Sequence, residues 1–205
     1  MNIKKILKDT LMITIITLVA GIALGFTYKL TKKPIEEQSL ISKQKAYQAV
    51  FSEASEFSQD SAVNMEESGE LLLENGITSV TIDEVAKAID NSGDTLGYVI
   101  SVTDSGGYSG DISFSLGIAM DGTIKGVSLL SISETAGLGM KAKTTNWLDQ
   151  FANKQVEAFN VIKGSSSSES DIEAISGATI TSNSITNGVN AGLCFFRSIQ
   201  EGGNQ

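Results

Sequence analysis

Residues 111–131 read Asp-Ile-Ser-Phe-Ser-Leu-Gly-Ile-Ala-Met-Asp-Gly-Thr-Ile-Lys-Gly-Val-Ser-Leu-Leu-Ser. Ile112, Phe114, Leu116, Ile118 and Met120 alternate with Asp111, Ser113, Ser115, Gly117 and Ala119. Successive side chains of a strand point to opposite faces, so this period of two predicts a half-buried strand. Asp121-Gly122 is a tight hairpin turn, and Ile124–Ser131 returns as the partner strand. The chain therefore carries an antiparallel sheet with one apolar face that helices must cover.

Working outward, Gly97-Tyr98-Val99-Ile100-Ser101-Val102 is a further β-rich run. On the other side, the Gly-rich turn Ala136-Gly137-Leu138-Gly139 leads into an expected helix around 145–153 carrying Trp147, Leu148 and Phe151. Gly164 and the serines 165–168 read as a flexible loop. From Thr181 to about Gln200, Ile185, Val189, Leu193, Phe196 and Ile199 form the apolar stripe of a last helix, with Arg197 near its C-terminal end, where a cation is favoured. Residues 58–78 are polar and acidic and read as a surface loop or short helix. The order helix, strands, helix, strand, helix predicts an α+β domain with an antiparallel sheet packed by helices.

At 205 residues the chain has room for one globular domain and extras. Its net charge of −9 repels nucleic acid, and no basic, aromatic-rich patch reverses that. It contains no His, the commonest general base near neutral pH and the commonest metal ligand. Its one cysteine, Cys194, excludes an internal disulfide and a Cys-built metal or iron–sulfur site from this chain alone. Cys194 lies in the run Leu193-Cys194-Phe195-Phe196 and reads as a buried packing residue. No metal site and no catalytic residue are expected, so redox work would need a cofactor.

Residues 10–28 carry no charge between Asp9 and Lys29, which suits one tilted transmembrane helix of about 20 residues. A cleaved signal peptide has a shorter apolar core, of roughly 7–15 residues, and a small-residue cleavage site that is not evident here. Lys4, Lys5 and Lys8 before the span balance Lys29, Lys32 and Lys33 after it, so lysine counting leaves the orientation open. The free amino terminus favours a cytoplasmic start and an external main domain. Pro34 opens a second helical pattern through Ile35, Leu40, Ile41, Tyr47, Val50, Phe51 and Ala54. The expected division is 1–33 as cytoplasmic N-terminus and anchor, 34–58 as a stalk helix, and 59–205 as the extracytoplasmic domain.

Two segments carry the chemistry. Residues 173–182 read Glu-Ala-Ile-Ser-Gly-Ala-Thr-Ile-Thr-Ser, a run of small residues ending on a hydroxyl just before the last helix. Small residues admit a bulky ligand to the backbone, and a helix start offers free N–H groups and a positive dipole end to an anion. Read by itself, the segment is equally a turn with an N-cap. The other segment is Ser133-Glu134-Thr135-Ala136-Gly137-Leu138-Gly139, followed by Trp147-Leu148-Asp149-Gln150-Phe151. It lacks the glycine pattern of a dinucleotide fingerprint and by itself reads as a loop between strand and helix.

Ser176-Gly177-Ala178-Thr179 resembles the Ser/Thr-Gly-Ala-Thr motif of flavoproteins that carry FMN on a threonine. The 133–139 segment resembles the Glu-Thr-Pro-Gly-Leu-Gly block of the same family. With the N-terminal span, they make the chain similar to the G-subunit family of the Rnf complex, an ion-translocating ferredoxin:NAD oxidoreductase. It is also similar to the C subunit of the Na⁺-translocating NADH:quinone reductase. Residues 58–90 match nothing in these families.

The resemblance implies an FMN-binding domain and a covalent phosphoester between FMN and Thr179. Ser176, Gly177 and Ala178 would be the motif neighbours, and Glu134, Thr135, Gly137, Leu138 and Gly139 the loop beside the flavin. Thr181 is the rival attachment hydroxyl. Glu173 replaces the family's usual Asp, and Ala136 its usual Pro, which loosens the loop because proline fixes φ. The implied role is an electron-transfer subunit in the membrane, a redox component with no complete active site of its own, coupling ferredoxin:NAD electron flow to Na⁺ or H⁺ transport. Implied partners are the A, B, C, D and E type subunits and a flavin transferase that uses FAD and Mg²⁺. Alternatives are a quinone-reductase C-type subunit, a free-standing anchored flavoprotein, and a non-redox binding or sensor module.

Overall fold

The computed structural model describes residues 3–60 and 65–202 of the chain. It divides into two compact units, residues 1–42 and 43–205. Most of the first is one long helix, α1 (Ile3–Val50), whose final turns belong to the second unit. Leu11, Met12, Ile13, Ile15, Ile16, Leu18 and Val19 are all exposed and fall on every side of the helix, so the segment is apolar around its circumference. Among the described residues α1 is the one helix long and apolar enough to cross a membrane.

Helix α1 continues through Pro34. Residues 34–58, expected as a stalk helix, are helical only to Val50 and re-emerge as strand β1 (Glu56–Gln59). The reason is local. Tyr47, Val50, Phe51 and Ala54 are buried against Ala86, Ala88 and Val99, so the apolar face of the helix ends on the sheet. There Gln48 Nε2 donates to the Ser52 carbonyl at 3.1 Å and closes the turn.

In the second unit, α2 (Met65–Glu74) precedes β2 (Val80–Ile89), β3 (Thr95–Asp104), β4 (Ile112–Ala119) and β5 (Ile124–Ser131). The strands form one antiparallel sheet in the order β1-β2-β3-β4-β5. Strand β2 has no counterpart in the sequence reading. Its register shifts between Ile82 and Glu84, and that irregularity breaks the period of two by which a strand is recognised.

The expected 145–153 helix is instead two short pieces. Helix α3 (Lys141–Thr144) is separated by extended Thr145 from a 3₁₀ helix, Asn146–Phe151. The 3₁₀ turn sets Trp147 edge-on to Phe151 with ring centroids 5.6 Å apart. Next come β6 (Asn160–Ile162) and β7 (Asp171–Glu173), a parallel pair, and then α4 (Thr179–Gly202).

Helix α4 lies on the sheet face formed by Ile100, Val102, Ile112, Phe114, Leu116 and Ile118. It contributes Ile185, Val189, Leu193 and Phe196, the stripe expected from the sequence. Each such side chain fully buried contributes about 1.5–3 kcal/mol. Cys194 is half-buried beside this stripe. The opposite sheet face, expected from the alternation to be polar and solvated, is covered. Its Ser101 and Ser115 are buried, and Tyr47 Oη lies 3.1 Å from Ser101 Oγ. The end of α1 lies over them, which is why small hydroxyl side chains occupy that face.

Candidate functional site

The start of α4 is fixed by a network that converges on Ser182. Its Oγ accepts from the Ile175 amide at 2.9 Å and donates to the Ala178 carbonyl at 3.0 Å. The Ala178 amide donates to the Ile175 carbonyl at 2.8 Å. Upstream, Gln150 Oε1 accepts from the Glu173 amide at 2.8 Å, and Trp147 Nε1 donates to the Glu173 carbonyl at 2.6 Å. The 175–178 turn is thus held on both sides. Gly177 has φ +79°, and a Cβ there would stand 3.0 Å from Leu138 Cδ2, so glycine suits both the backbone and the contact. The first amides of α4 have no intrahelical acceptor.

The 133–140 loop reaches the same place from the end of β5. Glu134 is buried, and its Oε1 accepts from the amides of Tyr108 at 2.8 Å and Ser109 at 3.3 Å. The Leu138 and Met140 amides both donate to the Thr135 carbonyl, which curls the loop back on itself. A Cβ on Gly139 would lie 2.5 Å from Thr181 Oγ1 and 2.7 Å from Glu134 Cβ. Gly139 therefore lets the loop and α4 meet.

Between the two segments lies a cavity of about 520 Å³, a volume within the roughly 300–1,000 Å³ of small-molecule and cofactor sites. Glu134, Thr135, Leu138 and Gly139 line it from one side, and Gly177, Ala178, Thr179 and Thr181 from the other. Ser176 and Gly137 stand outside its lining, both exposed. Tyr108 and Ile180 also line it and were not foreseen. Tyr108 lies about 25 residues upstream of the loop it joins, and only the fold brings the two together. Ile180 sits inside the motif, but its exposure of 51% depends on how α4 is docked.

The two threonines differ. Thr179 is half-buried on the cavity wall as the first residue of α4. Thr181 is 1% exposed and packed at Gly139. Asp104 at the end of β3 is fully buried. Its Oδ1 accepts from the Gly106 amide, while Oδ2 lacks a hydrogen-bond partner among the described residues. Burial pushes this carboxyl above its ordinary range, against the opposing pull of the Gly106 amide and of the Ser79 and Ser184 hydroxyls.

The residues present fit a flavin mononucleotide. Small residues open the backbone beside a hydroxyl, free amides stand at a helix start, and apolar side chains line the mouth. Residues 107–193 match the FMN-binding domain family. Fold and site thus define an FMN-binding-domain protein with an N-terminal apolar helix.

Residues 1–50 match the RnfG N-terminal region. The chain is 32% identical over 201 residues to the G subunit of the Na⁺-translocating ferredoxin:NAD⁺ oxidoreductase complex of Acetobacterium woodii, covering 97% of this chain and 95% of that one. It belongs to the G-subunit family of Rnf-type ion-translocating oxidoreductase complexes. The G subunit of the proton-translocating ferredoxin:NAD⁺ oxidoreductase complex of Clostridium ljungdahlii is 38% identical over 95 residues, 46% of this chain and 50% of that one. Among solved structures, Shewanella oneidensis NqrC is similar with a TM-score of 0.51 and 26% identity, covering 58% of this chain and 61% of that one.

Proposed function

We propose that this protein is an electron-transfer subunit of a membrane-bound Rnf-type complex. In this reading the complex couples electron flow between ferredoxin and NAD to translocation of Na⁺ or H⁺. FMN is bound through a phosphoester to Thr179 Oγ1. The observation that carries the reading is the position of Thr179. It is half-buried on a cofactor-sized cavity, first in a helix, behind Gly177 and Ala178. Thr181, at 1% exposure, is closed off from a modifying enzyme.

Bound there, FMN would supply one- and two-electron redox chemistry that the side chains lack. The chain's own residues do the rest. The first amides of α4 stabilise the phosphate through hydrogen bonds and the helix dipole. Gly177 and Ala178 let the ligand approach the backbone, and Thr135, Leu138 and Gly139 form the opposite wall. The ester is made by a flavin transferase from FAD. Thr179 Oγ1 would bond to the flavin-side phosphorus as the pyrophosphate bond breaks, with AMP as the leaving group and the hydroxyl proton passing to a base that the transferase would supply.

We place residues 1–33 as cytoplasmic N-terminus and anchor and the FMN domain outside the membrane. A covalent link suits that face, because a dissociated cofactor would be lost there. The A, B, C, D and E type subunits of the complex are the partners. The relatives in Acetobacterium woodii and Clostridium ljungdahlii are named for different ions, so Na⁺ and H⁺ both stand for this chain.

The test is expression of the full chain with a flavin transferase, followed by denaturing electrophoresis. Flavin fluorescence is expected on the polypeptide band, lost in Thr179→Ala and kept in Thr181→Ala. A fluorescent Thr179→Ala band, or a dark wild-type band beside a working transferase, contradicts the attachment. Co-purification with other membrane subunits tests the complex.

A further inference from the structure

We propose that Tyr108 is a flavin-contacting residue, its phenol ring forming the outer wall of the cavity against the isoalloxazine ring, and that Glu134 is the positioning residue that holds it there. The inference rests on the FMN reading above and adds two roles to that site.

Tyr108 is 69% exposed yet lines the cavity. Two more of the exposed large apolar side chains of the globular unit, Leu138 and Ile180, line the same cavity. Leu73 and Met120 are exposed elsewhere, so three of the five such side chains among the described residues of this unit stand around one opening. A planar aromatic ligand would cover it, and offset stacking on a tyrosine adds about 0.5–1.5 kcal/mol beyond the area buried. The same cavity is lined by Thr179, where the phosphate would be anchored. The tether thus leads toward the apolar lip, and the FMN-binding domain match begins at residue 107, next to Tyr108.

Tyr108 sits in Ser105-Gly106-Gly107-Tyr108-Ser109-Gly110, a stretch too poor in side chains to hold itself in place by packing. Glu134 holds it. The buried carboxylate accepts the Tyr108 and Ser109 amides through one oxygen, Oε1. Charge-assisted hydrogen bonds to a buried carboxylate are the stronger kind. A Cβ on Gly107 would overlap the Gly110 carbonyl oxygen and press on that same Oε1 at 3.0 Å, so glycine suits both the loop's own turn and its approach to Glu134. A carboxylate from the 133–139 loop therefore sets where the aromatic ring of the 105–110 loop stands.

The test uses the full-length protein made with a flavin transferase and purified from membranes. Emission of the native protein is expressed per bound flavin, with flavin content measured after denaturation. A phenol stacked on a flavin quenches its emission. Wild type is expected to be quenched, Tyr108→Leu several-fold brighter per flavin, and Tyr108→Trp quenched again. Glu134→Gln, whose amide oxygen can accept the same two N–H groups, should stay quenched, and Glu134→Ala should brighten. Adding Glu134→Ala to Tyr108→Leu should brighten it no further, because both changes act through one ring. Unchanged emission per flavin in Tyr108→Leu overturns the stacking. Brightening by Glu134→Ala on top of Tyr108→Leu overturns the positioning role. A wild-type protein without flavin sinks the underlying reading as well, which separates that failure from this one.

Discussion

Asp104 and Thr179 show how differently a residue can be read. Thr179 stands out in the sequence because its neighbours are small and a helix follows, a pattern local in sequence. Asp104 does not, because its burial depends on α4 closing over the end of β3. Its carboxyl is raised from the ordinary value of 3.8 by burial. Between 3.8 and the raised folded value, the native state keeps a proton that the unfolded chain releases. Stability therefore falls as pH rises through that window, and the loss is complete above it. Asp104→Asn removes the charge and keeps an oxygen for the Gly106 amide. We expect the variant to melt above wild type at neutral pH, with the gap narrowing as pH falls toward 3.8. Melting curves across a pH series check this, and a gap independent of pH contradicts it. Tyr108 was missed for a related reason, since its role arises only when Glu134 draws in its backbone.

Among the elements, β4 and α4 were readable because each keeps one clean period along its length, and β5 because the Asp121-Gly122 turn returns the chain as a partner strand. Ile112–Ile118 alternates, and Ile185, Val189, Leu193 and Phe196 recur at helical spacing. Strands β1 and β2, the parallel pair β6 and β7, and the 3₁₀ helix were not. Strand β1 has only four residues, β2 carries a register shift, and β6 and β7 have three residues each that only a distant partner defines. The contact between α4 and the sheet is close. A Cβ on Gly188 would stand 2.6 Å from Phe114 Cζ and 3.3 Å from Val102 Cγ1. Alanine favours a helix intrinsically, yet here the packing term wins. Gly188→Ala is expected to destabilise by about 1–3 kcal/mol through overpacking, read as a lower denaturation midpoint. A variant as stable as wild type would show that α4 does not bear on Phe114 as described.

For the whole molecule, the class α+β, the apolar N-terminal segment and the two motif segments were legible because each rests on local pattern. The extent of the site was not. The order of the sheet brings the loop after β3 beside the loop after β5, and α4 closes the cavity between them. On the function proposed above, the protein is a scaffold that holds FMN, and its apolar helix keeps that scaffold at the bilayer. The most direct test is the intact mass of the full chain extracted from membranes of cells that also make a flavin transferase. The expected mass is that of the polypeptide plus one FMN less one water, with the added mass mapping to the peptide that contains Thr179. The bare polypeptide mass, or the added group on another residue, would contradict it.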